Sequence, residues 1–213
     1  MPSRILMKLL EVLIGLAVLA FGIVLYIRSG LGSDAFTVFY AGLAKAARIS
    51  TGTSMQLCLV SLLALVFFLD RKLLGIGTVL HAVLVGFFID RILLWPIAEP
   101  SHPFAAALML FLAIFSVGSG LALYIHAGLG AGAIDALMLI IRYRTNWKIK
   151  SAKIALDAVL AILGFFMGGK LGIGTIGGML LTGPVIQLML RFYDSIQRRV
   201  KLNPISEGKK HEA

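Results

Sequence analysis

The sequence predicts an all-α polytopic membrane protein that is built from two homologous halves. Hydrophobic residues make up 59% of its 213 residues and charged residues only 14%, whereas an ordinary soluble domain has about 45–50% and roughly 25%. The apolar residues form runs long enough to cross a bilayer, and two glycine motifs occur twice in the same order. This pattern excludes an ordinary soluble globular protein and a disordered chain.

Six segments are long enough to span the membrane, since about 20 apolar residues cross a ~30 Å hydrocarbon core. They are residues 9–27, 53–69, 73–89 (extending to 95), 104–125, 154–169 and 171–190. The first segment is expected to be a retained helix rather than a signal peptide, because its apolar run continues to Ile27 without an Ala-x-Ala cleavage site.

Two further apolar segments are short, at residues 35–47 and 131–141. At about 1.5 Å per residue, neither crosses the bilayer comfortably. They are predicted to form half-helices, re-entrant helices or tilted short helices.

An internal repeat divides the chain. Residues 22–32 match residues 120–130 at an offset of 98, and residues 74–78 match residues 171–175 at an offset of 97. The predicted divisions are repeat 1 (residues 1–95), a proline-rich linker (96–103), repeat 2 (104–193) and a basic cytoplasmic tail (194–213).

The topology depends on the short segments. If they do not cross, each half has three spans and the halves are inverted; if they cross, each half has four spans and the halves are parallel. Basic residues collect in cytoplasmic loops, which places Arg71 and Lys72 inside with six spans, and Lys45 and Arg48 inside with eight. Both arrangements place the two termini in the cytoplasm. Segment length favours six spans and an inverted repeat, with eight parallel spans as the alternative.

The motif set resembles the YitT/YczE family of bacterial integral membrane proteins, and most closely its YczE branch. The residues that carry this resemblance are Gly30-Leu-Gly32, Gly75-Ile-Gly-Thr78 and Gly86-Phe-Phe-Ile-Asp90 in the first half, and Gly128-Leu-Gly130 with Asp135, Lys153-Ile-Ala-Leu-Asp157 and Gly168-Gly-Lys-Leu-Gly-Ile-Gly-Thr175 in the second. The resemblance covers most of residues 10–190 and implies a small-molecule exporter associated with secondary metabolism, without naming a substrate.

The chain departs from the family pattern at one position. The family resemblance implies an Asp in the first short helix, where this chain has Thr37, whereas Asp135 stands at the equivalent position of the second. Symmetric use of the two short helices is therefore in doubt, unless Asp34 replaces it after a small shift.

The repeated glycine motifs are the first candidate site. Gly30, Gly32, Gly128 and Gly130 could let the backbone adopt positive φ and approach a ligand closely. The helix starts that follow could then hold anionic groups of a substrate, as broken helices do in transporters. The alternative is that these glycines serve turns and close packing only.

Intramembrane acids are the second candidate site, because a charge in the bilayer is costly and must pair or face water. Asp135 and Asp157 are predicted to bind the substrate or an ion, or to carry a proton. The structural alternative is a salt bridge, of Asp135 with Arg28 or of Asp157 with Lys153 one turn earlier.

Four other residues complete the predicted substrate or ion site. Arg28 and His126 occupy equivalent positions before the two breaks, and His126 is either a titrating group or an interface anchor. Thr78 and Thr175 either cap the helices that follow them or contact the ligand.

The predicted function is a secondary transporter or exporter of a small organic molecule, with its path at the interface of the two repeats and proton coupling as an option. The alternative is a non-transporting membrane partner that anchors or regulates a cytoplasmic enzyme. The sequence contains no catalytic, Walker or metal-binding pattern, so no enzyme activity, cofactor or metal is expected. The expected location is the bacterial inner membrane. The expected partners are a small-molecule substrate and anionic lipids near the basic tail, with no nucleic acid; a homodimer is compatible with these features.

Overall fold

The computed structural model describes residues 2–130, 132–147 and 149–202. These residues form helices and connections without any strand, as the composition predicts. The helices are α1 (Pro2–Ser29), α2 (Ala35–Ala47), α3 (Thr51–Asp70), α4 (Ile76–Leu93), α5 (Pro103–His126), α6 (Ala133–Thr145), α7 (Ile149–Phe166) and α8 (Ile173–Leu202). Residues 203–213 of the predicted basic tail lie outside the described residues.

Within the described residues, five helices are long and apolar enough to cross a membrane: Ile5–Ser29, Thr51–Leu73, Ile76–Leu93, Pro103–His126 and Ile173–Ile196. The predicted span at residues 154–169 forms α7, which is not among them. Its first half carries Lys150, Lys153 and Asp157, which lower its hydropathy. The protein is therefore a multi-pass membrane protein, and the count of six spans stays a prediction.

The two short segments form short helices. Helices α2 and α6 have 13 residues each, which corresponds to about 20 Å of helix and is less than the hydrocarbon thickness. Asp34 ends the break before α2 as its N-cap, and Gly132 occupies the same position before α6.

Helices α1 and α5 form the centre of the fold and run antiparallel. A Cβ on Gly15 would lie 2.9 Å from the Gly120 carbonyl oxygen, and one on Gly22 would lie 2.6 Å from the Val117 backbone nitrogen. As the residue number increases along α1, the number of the residue that it contacts in α5 decreases, so the two helices are antiparallel. Small residues at such a contact let two helix backbones approach closely, which stabilises helix pairs in lipid.

Each short helix packs beside a long helix of the other half. Along α2 and α7, Ala35 packs with Ala161, and Lys45 Nζ donates to the Gly168 carbonyl at 2.8 Å, so these two helices run parallel. Helix α6 packs on α3 through Ala136, which belongs to one buried cluster with Val66. The two halves are thus interleaved rather than set side by side.

Candidate functional site

The two Gly-Leu-Gly segments break the chain at the ends of α1 and α5. Gly32 has a φ of 91° and Gly130 a φ of 132°, a region that L side chains rarely adopt. Gly30 and Gly128 also have positive φ, at 70° and 64°. The predicted positive-φ glycine breaks are therefore present in both halves.

Each break is held by the Gly-Ile-Gly-Thr turn of the other half. The Gly77 N–H donates to the Leu129 carbonyl at 2.8 Å, and the Gly174 N–H donates to the Leu31 carbonyl at 2.8 Å. A Cβ on Gly32 would lie 2.6 Å from the backbone nitrogen of Gly172. Gly32 and Gly130 are therefore required by close contact with the opposite turn, which is the packing alternative of the sequence analysis, whereas a Cβ on Gly30 would meet no atom within 4 Å.

Thr78 and Thr175 are buried at the same two contacts. The Thr78 hydroxyl accepts from the Gly75 N–H at 3.0 Å, and the Thr175 hydroxyl accepts from the Gly172 N–H at 3.2 Å. Each threonine thus satisfies a backbone donor at the start of α4 or α8, as a capping side chain does. This geometry supports capping over ligand contact.

A cavity of about 330 Å³ lies between the two halves. Helices α1 and α5 contribute an apolar wall that includes Ile23 and Leu121, whereas the starts of α2, α6 and α7 contribute the charged groups. The charged lining residues are Asp34, Asp135, Lys153 and Asp157. Such a volume is at the lower end of the range for small-molecule sites.

Asp34 lies at the N-terminus of α2 and is fixed by Thr37. The Thr37 N–H donates to Asp34 Oδ1 at 3.2 Å, and its hydroxyl donates to Asp34 Oδ2. The Thr37 and Tyr40 hydroxyls are 2.9 Å apart. The carboxylate therefore occupies the place where the free N–H groups of α2 would otherwise receive an anion.

Asp135 reaches the equivalent place at α6 by a different route. It stands in the first turn of α6, and a Cβ on the N-cap Gly132 would lie 2.9 Å from Asp135 Oδ2. The carboxylate therefore lies over the helix start, where an N-cap side chain would be. Asp34 and Asp135 both cover a short-helix N-terminus, although they differ by three positions in the repeat. Asp34 therefore stands at the start of α2, three positions before Thr37, and symmetric use of the two short helices stays a prediction.

Lys153 and Asp157 form an ion pair on α7, with Lys153 Nζ 3.0 Å from Asp157 Oδ2. Lys153 also attracts Asp34 and Asp135 electrostatically, and Asp157 repels both. The salt bridge that the sequence analysis gave as the structural alternative for Asp157 is therefore present, and a role of Asp157 in binding stays a prediction. Asp135 does not pair with Arg28, whose Nη1 instead lies 3.7 Å from Glu99 Oε1.

His81 on α4 completes the polar lining. Its side chain is buried, with 4% exposure, and its Nδ1 has no hydrogen-bond partner among the described residues. The ring lies against Tyr124, with 5.3 Å between the centroids. A buried imidazole nitrogen without a partner is unfavourable, so a hydrogen bond from a ligand or a water molecule to it would stabilise the protein.

The comparisons with known proteins agree with this membrane architecture. The family model DUF6198, described as a family of unknown function, matches residues 6–191. The chain belongs to this family. It is similar to the "Uncharacterized membrane protein YczE" of Bacillus subtilis, with 29% identity over 83% of this chain and 82% of the relative. The resemblance to the YczE branch is thereby confirmed.

Two other proteins are similar to this chain over comparable lengths. A Haemophilus influenzae protein is 33% identical over 84% of this chain and 81% of its own length. "Uncharacterized protein YyaS" of Bacillus subtilis is 33% identical over 82% of this chain and 90% of its own. No solved structure matches the chain.

Among the residues predicted to bind substrate or ion in this DUF6198 protein, Asp135 and Asp157 line the cavity. The others lie outside the lining: Gly30, Gly32, Gly128 and Gly130 in the two breaks, Thr78 and Thr175 in the turns that contact them, and Arg28 and His126 at helix ends. His126 lies 3.4 Å from Glu11 Oε2 and 3.7 Å from Asp194 Oδ1. These contacts join α5 to α1 and α8.

Sequence reasoning missed three cavity residues as site residues: Asp34, Lys153 and His81. In the sequence analysis, Asp34 is named only as a possible replacement for an Asp at position 37, and Lys153 only as the salt-bridge partner of Asp157. For Lys153 and His81 the repeat itself is the signal, because several lining residues stand 97 or 98 positions apart, whereas Asp34 has no such partner among the described residues of the lining. The pairs are Leu19 with Val117, Ile23 with Leu121, Phe36 with Ile134, Thr37 with Asp135, Met55 with Lys153 and His81 with Gly178.

Proposed function

We propose that this membrane protein is a secondary transporter or exporter of a small organic molecule, with the substrate path at the interface of two inverted halves. The observation that carries the proposal is the cavity between the two halves, whose lining includes equivalent positions of both halves and four charged side chains. Transporters with inverted repeats bind substrate at the repeat interface near discontinuous helices. The proposal assigns the cavity to binding and movement of a molecule, without chemistry on it.

The antiparallel packing of α1 and α5 supports inversion of the halves. These helices open the two repeats, so parallel halves would make them parallel. An antiparallel pair requires an odd number of crossings in each half. With α2 and α6 too short to cross, three crossings per half give six spans and both termini on one side. The basic residues of 142–153 and of the C-terminal segment support the proposal that this side is the cytoplasm, in a bacterial inner membrane.

Helix α8 supplies a cavity wall that can bend. Pro184 lies inside this helix, and a proline has no N–H to bond the carbonyl four residues earlier. Gly178 and Gly183 line the cavity on the same helix. Bending at this point is a physical route by which one side of the cavity could open while the other closes.

The carboxylates in the cavity also support proton coupling as part of the proposal. Asp135 and Asp157 belong to an electrostatically linked group with Lys153, and acids inside membranes form proton relays in pumps and transporters. The basic C-terminal segment is proposed to contact anionic lipids.

Access to the cavity from both sides of the membrane tests the proposal without a known substrate. Gly183 is the reporter position, because it lines the cavity and a Cβ there would meet no atom within 4 Å. Gly183→Cys in a Cys58→Ser chain is treated with an impermeant thiol reagent in right-side-out and inside-out vesicles. A transporter gives modification in both preparations, and Lys72→Cys provides the control that reacts from one side only. Modification of Gly183→Cys from one side alone, or from neither, would refute the transport proposal.

A further inference from the structure

We propose that the cavity is selective for a small organic cation, an amine with an apolar body, which binds by its ammonium group between Asp34 and Asp135. This inference rests on the proposed function, in that the cavity is taken as the substrate path. Broken helices in other transporters bind an anionic group of the substrate. Here we expect a cationic group instead.

The charge balance of the lining favours a cation. Three carboxyl groups, on Asp34, Asp135 and Asp157, line the cavity with one ammonium group, on Lys153. Lys153 lies 3.0 Å from Asp157, so its charge is matched by that partner. Asp34 and Asp135 have no second Lys or Arg beside them in the lining. An added ammonium group would supply the missing positive charge, and a cavity lined by one sign of charge concentrates ions of the other sign.

The helix N-termini that could attract an anion are already covered. Asp34 accepts the Thr37 N–H at the start of α2, and Asp135 lies over Gly132 at the start of α6. Each positive helix end is therefore matched by a carboxylate of the chain itself. A substrate carboxylate or phosphate would have to displace these groups or lie beside them, and both alternatives are electrostatically unfavourable.

His81 is an independent indication of a ligand. It is 4% exposed, lines the same cavity and has an Nδ1 atom without a hydrogen-bond partner among the described residues. A buried nitrogen of this kind costs stability unless something binds it. An imidazole nitrogen in its acceptor form can receive an N–H of an ammonium ligand. His81 therefore adds a polar contact that does not depend on the carboxylates.

The remaining walls suit an apolar body. Ile23, Met55, Leu121 and Ile134 line the cavity together with Phe36, whose ring makes an edge contact with Tyr40 at 5.4 Å. Aromatic rings attract cations as well as apolar groups. A volume of about 330 Å³ limits the ligand to a small molecule.

A pair of thiol reagents of similar size and opposite charge tests this selectivity in the purified full-length protein. The reporter is again Gly183→Cys with Cys58→Ser. Its rate of modification is measured with trimethylammonioethyl methanethiosulfonate and with sulfonatoethyl methanethiosulfonate, and each rate is divided by the rate with free mercaptoethanol. The proposal predicts a normalised rate at least about tenfold higher for the cationic reagent.

Charge-neutral variants assign the effect to the two carboxylates. Asp34→Asn and Asp135→Asn are each expected to lower the ratio of the two rates severalfold. Glu99→Gln removes the same charge outside the cavity and is expected to leave the ratio unchanged. Because Asp34 also caps α2, Asp135→Asn is the decisive variant if Asp34→Asn does not fold.

Protection experiments extend the test to complete ligands. Phenylethylamine should slow modification of Gly183→Cys, whereas phenylethanol and phenylacetate, which share its carbon skeleton, should not. Equal or faster normalised reaction of the anionic reagent, or protection by phenylacetate alone, overturns the cation proposal. Either result leaves two-sided access, and with it the transport proposal, intact. Loss of two-sided access with a retained cation preference would instead refute transport and leave a cation-binding site.

Discussion

The carboxylate of Asp135 lies over the backbone of Gly132, with Oδ2 at 2.9 Å from the position that a Cβ on Gly132 would take. The glycine thus leaves the space that the acid occupies at the start of α6. In the first half the acid itself is the N-cap, at Asp34. Two different sequence solutions place a carboxylate at the start of a short helix.

Gly132→Ala is expected to displace the Asp135 carboxylate while the protein stays folded. The atom that the new methyl group meets is the end of a flexible side chain, so the thermal midpoint should fall by only a few degrees, equivalent to about 1 kcal/mol. The ratio of cationic to anionic modification at Gly183→Cys should fall towards that of Asp135→Asn. An unchanged ratio would show that the position of Asp135 over Gly132 does not matter for the cavity.

Glycine substitutions at the first break are expected to differ in cost. Gly30→Ala meets no atom within 4 Å and suffers only from its φ of +70°, which costs about 1–2 kcal/mol. Gly32→Ala adds a contact of 2.6 Å with the Gly172 backbone nitrogen, so its cost should reach about 3 kcal/mol or more. Thermal unfolding in detergent, followed by circular dichroism, measures both. The reverse order would contradict the contact between the break and the turn.

The ion pair of α7 is expected to show asymmetric costs. Lys153→Met leaves Asp157, with a side-chain exposure of 15%, without its cation, whereas Asp157→Leu leaves Lys153, with an exposure of 57%, able to reach water. We expect a loss of about 1–2 kcal/mol for Lys153→Met, less than for a fully buried pair because Lys153 is exposed, and a smaller loss for Asp157→Leu.

The double variant Lys153→Met with Asp157→Leu gives the second half the residue types that the first half has at the equivalent positions, Met55 and Leu59. It should be more stable than the sum of the single losses predicts, which a double-mutant cycle from thermal unfolding would measure. Strict additivity would mean that the 3.0 Å contact contributes no coupling energy.

Cysteine accessibility is expected to place Arg48 and Lys72 on opposite sides of the membrane. Arg48 follows the short helix α2, and Lys72 follows the long helix α3. With three spans per half, α3 alone crosses between them, and Lys72 is cytoplasmic. Arg48→Cys and Lys72→Cys, each with Cys58→Ser, are labelled in intact cells by an impermeant maleimide. Labelling of Lys72→Cys but not Arg48→Cys from outside would favour eight parallel spans.

Much of the fold could be predicted because lipid imposes simple rules on the chain. Long apolar runs became long helices, and the short segments at 35–47 and 131–141 became α2 and α6 with nearly the same bounds. The exception is α7, where Lys153 and Asp157 reduce the apolar length. The sequence cannot show that a charged helix end faces a cavity rather than the membrane surface.

The site was harder to predict because its residues are far apart in the chain. Arg28 and His126 stand next to the breaks in sequence, yet their side chains contact Glu99 and Glu11 instead of the cavity. His81 reaches the cavity from α4. Its ring lies there against Tyr124 of the other half, and no local pattern encodes a contact between residues so far apart.

The crossed contacts at the breaks constrain how the chain is made. The Leu31 carbonyl receives its hydrogen bond from Gly174 at the start of α8, which leaves the ribosome after α1 to α7. Until then this acceptor needs water or a temporary partner, since an unpaired backbone group in hydrocarbon is unfavourable. The first half therefore cannot mature ahead of the second, and a nascent chain arrested before α8 would present an open break to the quality-control proteases of the membrane.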